Sequence, residues 1–109
     1  MKRELTLVLE GSTKASETLE ELKTEGFNAT VISTESLRHA VDYYPGDHHF
    51  FNLRQFENRA NMESVLCLFV IDEERLDTLK DVIRRYTNGF RDIKGFMYSR
   101  PIDDFEGSV

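Results

Sequence analysis

VLCLFVIDEERLDTLKDVIRRYTNG, residues Val65–Gly89, changes its apolar period at Asp72, and that change decides the fold. Val65–Ile71 is an unbroken apolar run of strand length, rich in β-branched and aromatic residues. Beyond it Asp72 is suited to cap a helix, and Glu73 and Glu74 suit the positive end of a helix dipole. Leu76, Leu79, Val82, Ile83 and Tyr86 then recur as the core stripe of a helix. Asn88-Gly89-Phe90 ends it, because Gly readily takes the left-handed conformation that closes a helix.

The same strand-then-helix order stands at the start of the chain. Leu5, Leu7 and Leu9 alternate with Glu4, Thr6 and Val8, the period of a half-buried strand. Ser12 and Thr13 can cap a following helix whose apolar positions are Ala15, Leu19 and Leu22. Gly26 stops it and Phe27 can fold back onto Leu22, the Gly-Phe ending that recurs at Gly89-Phe90. Asn28–Thr34 carries Thr30, Val31 and Ile32 and reads as a second strand, and a last strand lies at Gly95–Arg100. Two β-α-β units joined through the middle predict an α+β, ferredoxin-like β-α-β-β-α-β arrangement, an antiparallel sheet with two helices on one face. A chain of 109 residues fits a single domain over 1–109.

Where a short turn between strands two and three is enough, the chain spends Ser36–Ser64, SLRHAVDYYPGDHHFFNLRQFENRANMES. A connection this long is uncommon in a compact domain unless it carries function. It holds all three histidines, His39, His48 and His49, and the turn sequence Tyr43-Tyr44-Pro45-Gly46. Pro-Gly favours a tight turn that would project Tyr43 and Tyr44 for contact with a partner or for covering apolar surface. The histidines, with Asp42 and Asp47, are of the kinds that zinc or copper takes, but their spacing is no metal motif, and no metal site is assigned.

Composition narrows the function classes. Fourteen basic against twenty acidic residues give a formal charge of −6, which disfavours nucleic acid as a partner. The single Cys67 cannot form an internal disulfide and reads as a buried strand position, so a cytoplasmic location is expected. The N-terminal apolar run is too short for a signal peptide or membrane span. No nucleophile paired with a base, no dinucleotide fingerprint and no G-x-S-x-G elbow occurs, so no catalytic residue is assigned and a non-enzymatic role is expected. Glu10-Gly11-Ser12-Thr13-Lys14 lacks the full phosphate-loop pattern and is explained by capping.

The third strand is apolar on both faces, Leu66, Leu68 and Val70 on one and Val65, Cys67, Phe69 and Ile71 on the other, while Phe96 and Tyr98 lie opposite Met97 on the last. An antiparallel sheet with one solvated face alternates apolar with polar, so the helix-free face is expected to be covered, by self-association or by the long connection folding back.

The layout of strands, helices and long loop resembles the PII-like signalling proteins and their CutA-like structural relatives. The sharpest local likeness is Thr87-Asn88-Gly89-Phe90-Arg91-Asp92-Ile93-Lys94-Gly95-Phe96, similar to the PII segment T-G-x-x-G-D-G-K-I-F. Thr87, Asp92, Lys94 and Phe96 keep the residue types, and Arg91 and Ile93 stand where glycines let backbone approach phosphate. The resemblance implies a homotrimer that binds an adenine nucleotide or other small anion in clefts between subunits, without fixing a cofactor. It implies Gly89, Arg91 and Lys94 as the anion contacts and a long loop, carrying Tyr43 and Tyr44, as the partner contact. A CutA-like metal-responsive trimer using His39, His48 and His49, and a structural or interaction domain without ligand, are the alternatives.

Overall fold

The computed structural model describes residues 1–11, 13–35, 37 and 64–109. Their order is β1 (Lys2–Glu10), α1 (Thr13–Thr24), β2 (Thr30–Thr34), β3 (Ser64–Asp72), a 3-10 turn (Glu73–Arg75), α2 (Leu76–Thr87) and β4 (Gly95–Pro101). The strands form one antiparallel sheet in the order β2-β3-β1-β4, the ferredoxin-like arrangement expected from the two β-α-β units.

Register explains which side chains meet the helices. Leu5 stands opposite Phe69, Leu7 opposite Cys67 and Leu9 opposite Val65, so these six share one face of the pleat. They join Ala15 and Leu22 of α1 and Leu76, Leu79, Val82 and Ile83 of α2 in a single core, and both helices therefore cover the same face. Removing each of the leucine, isoleucine, valine and phenylalanine side chains from water is worth about 1.5–3 kcal/mol. Phe27 folds back as its sequence predicts: its amide donates to the Leu22 carbonyl at 3.0 Å and its ring is buried in that core.

Two boundaries differ from the sequence reading. Asp72 makes no capping hydrogen bond; its carboxylate pairs with Lys2 Nζ at 2.9 Å, a 3-10 turn follows, and the α-helix begins only at Leu76. Strand β2 starts at Thr30 instead of Asn28, and the Asn28 side-chain oxygen accepts the Ala29 amide at 2.9 Å, a local bond that competes with ladder pairing.

The other face of the sheet carries Ile32, Leu66, Val8 and Phe96 in one row and Thr30, Leu68, Thr6 and Tyr98 in the next. Phe96 and Tyr98 are 53% and 54% exposed and lie ring over ring, 6.4 Å apart. Val70, Glu4 and Arg100 follow in the third row, where the Arg100 guanidinium grips the Glu4 carboxylate at 2.7 and 3.4 Å. The expected two-sided apolarity of β3 is thus present: one side lies under the helices and the other is half-buried among the described residues.

Candidate functional site

One end of the sheet gathers three connections. Across it, Thr34 of β2 pairs with Ser64 of β3, Ser64 pairs with Glu10 of β1, and the Glu10 amide donates to the Lys94 carbonyl at 2.9 Å just before β4. At about 4.8 Å per strand the row spans ~14 Å. The Thr34 and Ser64 hydroxyls lie 2.6 Å apart, tying together the two strands from which the long connection leaves and to which it returns. Gly89, Arg91 and Lys94 thus lie in the loop at the same end of the sheet as the base of the 36–64 segment. Tyr43, Tyr44, His39, His48 and His49 lie outside the described residues. No cluster of three metal-ligating side chains occurs among the described residues.

The loop after α2 is shaped by left-handed backbone. Asn88, Gly89 and Phe90 have φ of 52°, 64° and 64°. Gly89 takes this conformation without strain, whereas Phe90 is held in it by half-burial of its ring against the core. Thr87 organises the turn: fully buried, it donates its hydroxyl to the Ile83 carbonyl at 2.7 Å and accepts the Phe90 amide at 3.2 Å. Ile93, at a position where PII proteins have glycine, is 5% exposed and belongs to the core. Arg91, Asp92 and Lys94 are exposed around it, with the Asp92 carboxylate accepting from the Asn88 side-chain amide at 3.4 Å.

Charges of both signs surround the loop. Arg84 and Arg85 end α2, Arg84 3.3 Å from Asp81 and Arg85 over the Tyr86 ring. Tyr86 hydrogen-bonds Glu21 of α1, and that bond raises the phenol above its ordinary pKa. Among the described residues no carboxylate forms an ion pair with Arg91 or Lys94. The arrangement can attract an anion and hold it by side-chain charge.

The opposite end of the sheet holds a hollow of about 160 Å³. Phe27, Val70 and Ile71 form its apolar part, and Lys2, Asp72 and Arg75 its charged part. The Arg75 guanidinium lies 4.4 Å from the centre of the Phe27 ring. Lys2 lowers the Asp72 pKa by hydrogen bond and by charge, so this carboxylate stays ionised. Sequence reasoning missed this hollow, because Lys2, Phe27 and Arg75 are far apart in the chain and share no motif.

Solved structures match the chain over most of its length. A nitrogen regulatory PII-like protein, CPII, from Thiomonas intermedia K12, bound to ADP, AMP and bicarbonate, aligns with a TM-score of 0.55 at 16% identity over 93% of this chain and 96% of its own. The chain has the PII-like fold. CPII bound to ADP, AMP and acetate gives 0.54 at 16% identity over 90% and 82%. A functionally unknown protein from Pediococcus pentosaceus ATCC 25745 gives 0.60 at 15% identity over 99% of both chains. No protein-family model and no curated protein matches the sequence. No helix among the described residues is long and apolar enough to cross a membrane.

Proposed function

We propose that this PII-like chain is a non-enzymatic, cytoplasmic ligand-sensing regulator. It assembles as a homotrimer through its open sheet faces, binds an adenine nucleotide or other small anion in clefts between subunits, and signals through the 36–64 segment. The observation that carries the reading is the convergence, at one end of the sheet, of the Gly89–Lys94 loop and the base of that segment. ADP and AMP bound to the PII-like neighbours of the same fold support the choice of ligand.

Distance supports a site shared between subunits. The hollow, with half-buried Val70 and the exposed Arg75 guanidinium on its wall, offers contact for a ring, and the Arg91–Lys94 loop offers charge for phosphate. They stand at opposite ends of strands of up to nine residues, roughly 25 Å apart at ~3.3 Å per residue. One nucleotide reaches both kinds of contact only if one subunit supplies the hollow and its neighbour the loop. The apolar rows of the open face supply the surface for such packing.

Thermal melts with ADP, AMP, ATP and inorganic phosphate test the ligand. A site filled at a hundredfold excess over Kd stabilises the native state by about 2.7 kcal/mol. Failure of every nucleotide and of phosphate to raise the Tm sinks the ligand reading. Light scattering during gel filtration tests the assembly independently, and a monomer at all concentrations contradicts it.

A further inference from the structure

Arg75 is held in place but joins no ion pair. It closes the 3-10 turn Glu73–Arg75, and its guanidinium lies over the Phe27 ring, 4.4 Å from the centre. Gly26, at φ of 89°, brings the chain alongside, so that a Cβ there would come 3.9 Å from Arg75 Nη2. The residues before Arg75 in the chain, Asp72, Glu73 and Glu74, are acidic, yet among the described residues no carboxylate forms an ion pair with it. Asp72 is taken by Lys2 at 2.9 Å. A guanidinium laid on a ring loses freedom but keeps its edge, and the N–H donors of that edge form a fork that matches a carboxylate.

The hollow beside Arg75 is walled in part by the chain that follows β4. The Ile102 amide donates to the Lys2 carbonyl at 3.1 Å, and the Phe105 ring centre lies 5.4 Å from Lys2 Nζ. Gly107, at φ of 111°, turns the chain beyond it, and Val109 reaches the wall of the hollow. The geometry points to a small-monocarboxylate site in this hollow, with Arg75 as the contact residue, Val70 and Val109 beside a short alkyl chain, and Phe105 as the residue that positions Val109. The site goes beyond the nucleotide reading and does not rest on it, since a carboxylate takes the edge of the guanidinium and a ring would take its face. Charge sets the class. Of the charged side chains lining the hollow, Lys2 and Asp72 cancel and Arg75 leaves one positive charge, so a dianion would keep a negative charge uncompensated near Asp72.

Titration of the full chain with acetate, butyrate and inorganic phosphate, without nucleotide and at an ionic strength held constant with sodium chloride, tests this by proton–nitrogen NMR. Butyrate is expected to move the Arg75 Nε–H and to bind about 3- to 10-fold more tightly than acetate, with phosphate weaker than either. Arg75→Lys keeps the charge but loses the fork, and is expected to weaken butyrate about 5- to 10-fold, as much as Arg75→Ala does. Phe105→Ala is expected to abolish the advantage of butyrate over acetate while acetate still moves the Arg75 Nε–H, and Phe105→Tyr restores that advantage. Butyrate bound by Arg75→Lys as tightly as by the wild type, phosphate bound at Arg75 as tightly as butyrate, or an Arg75 signal that no carboxylate moves each overturns the inference. All three leave the nucleotide reading intact, because the melts with ADP, AMP and ATP report on it separately.

Discussion

A methyl group at residue 95 would test how tightly the anion loop is tied to the sheet. A Cβ added to Gly95 would lie 2.2 Å from the Val8 carbonyl oxygen, 3.0 Å from Leu9 Cδ2 and 3.2 Å from Leu9 Cα. A close carbon–oxygen contact is about 3.3 Å, so the overlap with main chain is ~1 Å. Val8 belongs to β1, which is paired on both sides, and the clash is relieved only by pulling the first rungs of β4 away. Losing one or two ladder bonds at about 0.5–1.5 kcal/mol each, plus overpacking of about 1–3 kcal/mol, gives ~2–4 kcal/mol for Gly95→Ala. Gly89→Ala is the control: φ is +64° but nothing lies within 4 Å of the added methyl, so only the left-handed penalty of about 1–2 kcal/mol applies. Urea unfolding at fixed protein concentration, with m-values compared, measures both. Gly95→Ala should also weaken phosphate, because Lys94 moves with the displaced strand, whereas Gly89→Ala leaves Lys94 in register. If Gly95→Ala costs no more than Gly89→Ala, the tight approach of β4 to β1, and with it the placement of Lys94, is refuted.

Three further outcomes are expected. Burial pushes the Cys67 thiol up to about 11 from 9.0, so its contribution to stability is full below roughly pH 8.5 and is lost as pH rises through 11; the fall is at most ~3 kcal/mol and is absent in Cys67→Ala, as read from urea midpoints between pH 8 and 11. Lys2 lowers the Asp72 pKa, so that pair stabilises above roughly pH 4 and its contribution is lost as pH falls through the lowered value; Lys2→Met should lose less stability than the wild type in melts between pH 5 and 2. Leu66→Glu places a charge at the centre of the open sheet face and should yield monomers by light scattering without altering the helical circular dichroism; an unchanged oligomer refutes packing through that face.

What could be read from the sequence is what local periodicity encodes. The switch from the run Val65–Ile71 to the stripe Leu76–Tyr86, and the fold-back of Phe27 on Leu22, are short-range patterns, and both are found in place. The start of α2 was not legible, because Asp72 is drawn to Lys2, seventy residues away in the chain and brought alongside by the β1–β3 register. The role of Thr87 was hidden for a similar reason. A threonine at a helix end is commonplace in sequence, and only the run of left-handed residues after it turns successive amides onto its carbonyl and hydroxyl. Ile93 stands where the likeness has a glycine, and its place in the core was not legible from that segment.

On the proposed reading, the exposure of Arg91 and Lys94 also limits what one chain can sense alone. A ligand shifts an equilibrium only by the difference in its affinity for the two states, and moving a population from 1:99 to 99:1 takes about 5.5 kcal/mol. Contacts between exposed charges are worth about 0.2–1 kcal/mol each, so Arg91 and Lys94 together supply far less than that. The mechanical link to the long segment is short, through the Lys94 carbonyl, the Glu10 amide, Ser64 and Thr34, but so small an input does not throw a switch through it. The missing free energy has to come from ligand surface buried elsewhere. In a trimer that source is the neighbour's hollow beside Val70 and Arg75, where a ring laid on the guanidinium adds to the charge at the loop only for a ligand that carries both a ring and an anion. A bare dianion should therefore occupy the loop without signalling, and a nucleotide should signal only in the assembled protein. Discrimination between nucleotide and phosphate then belongs to the quaternary structure and not to the loop that touches the phosphate.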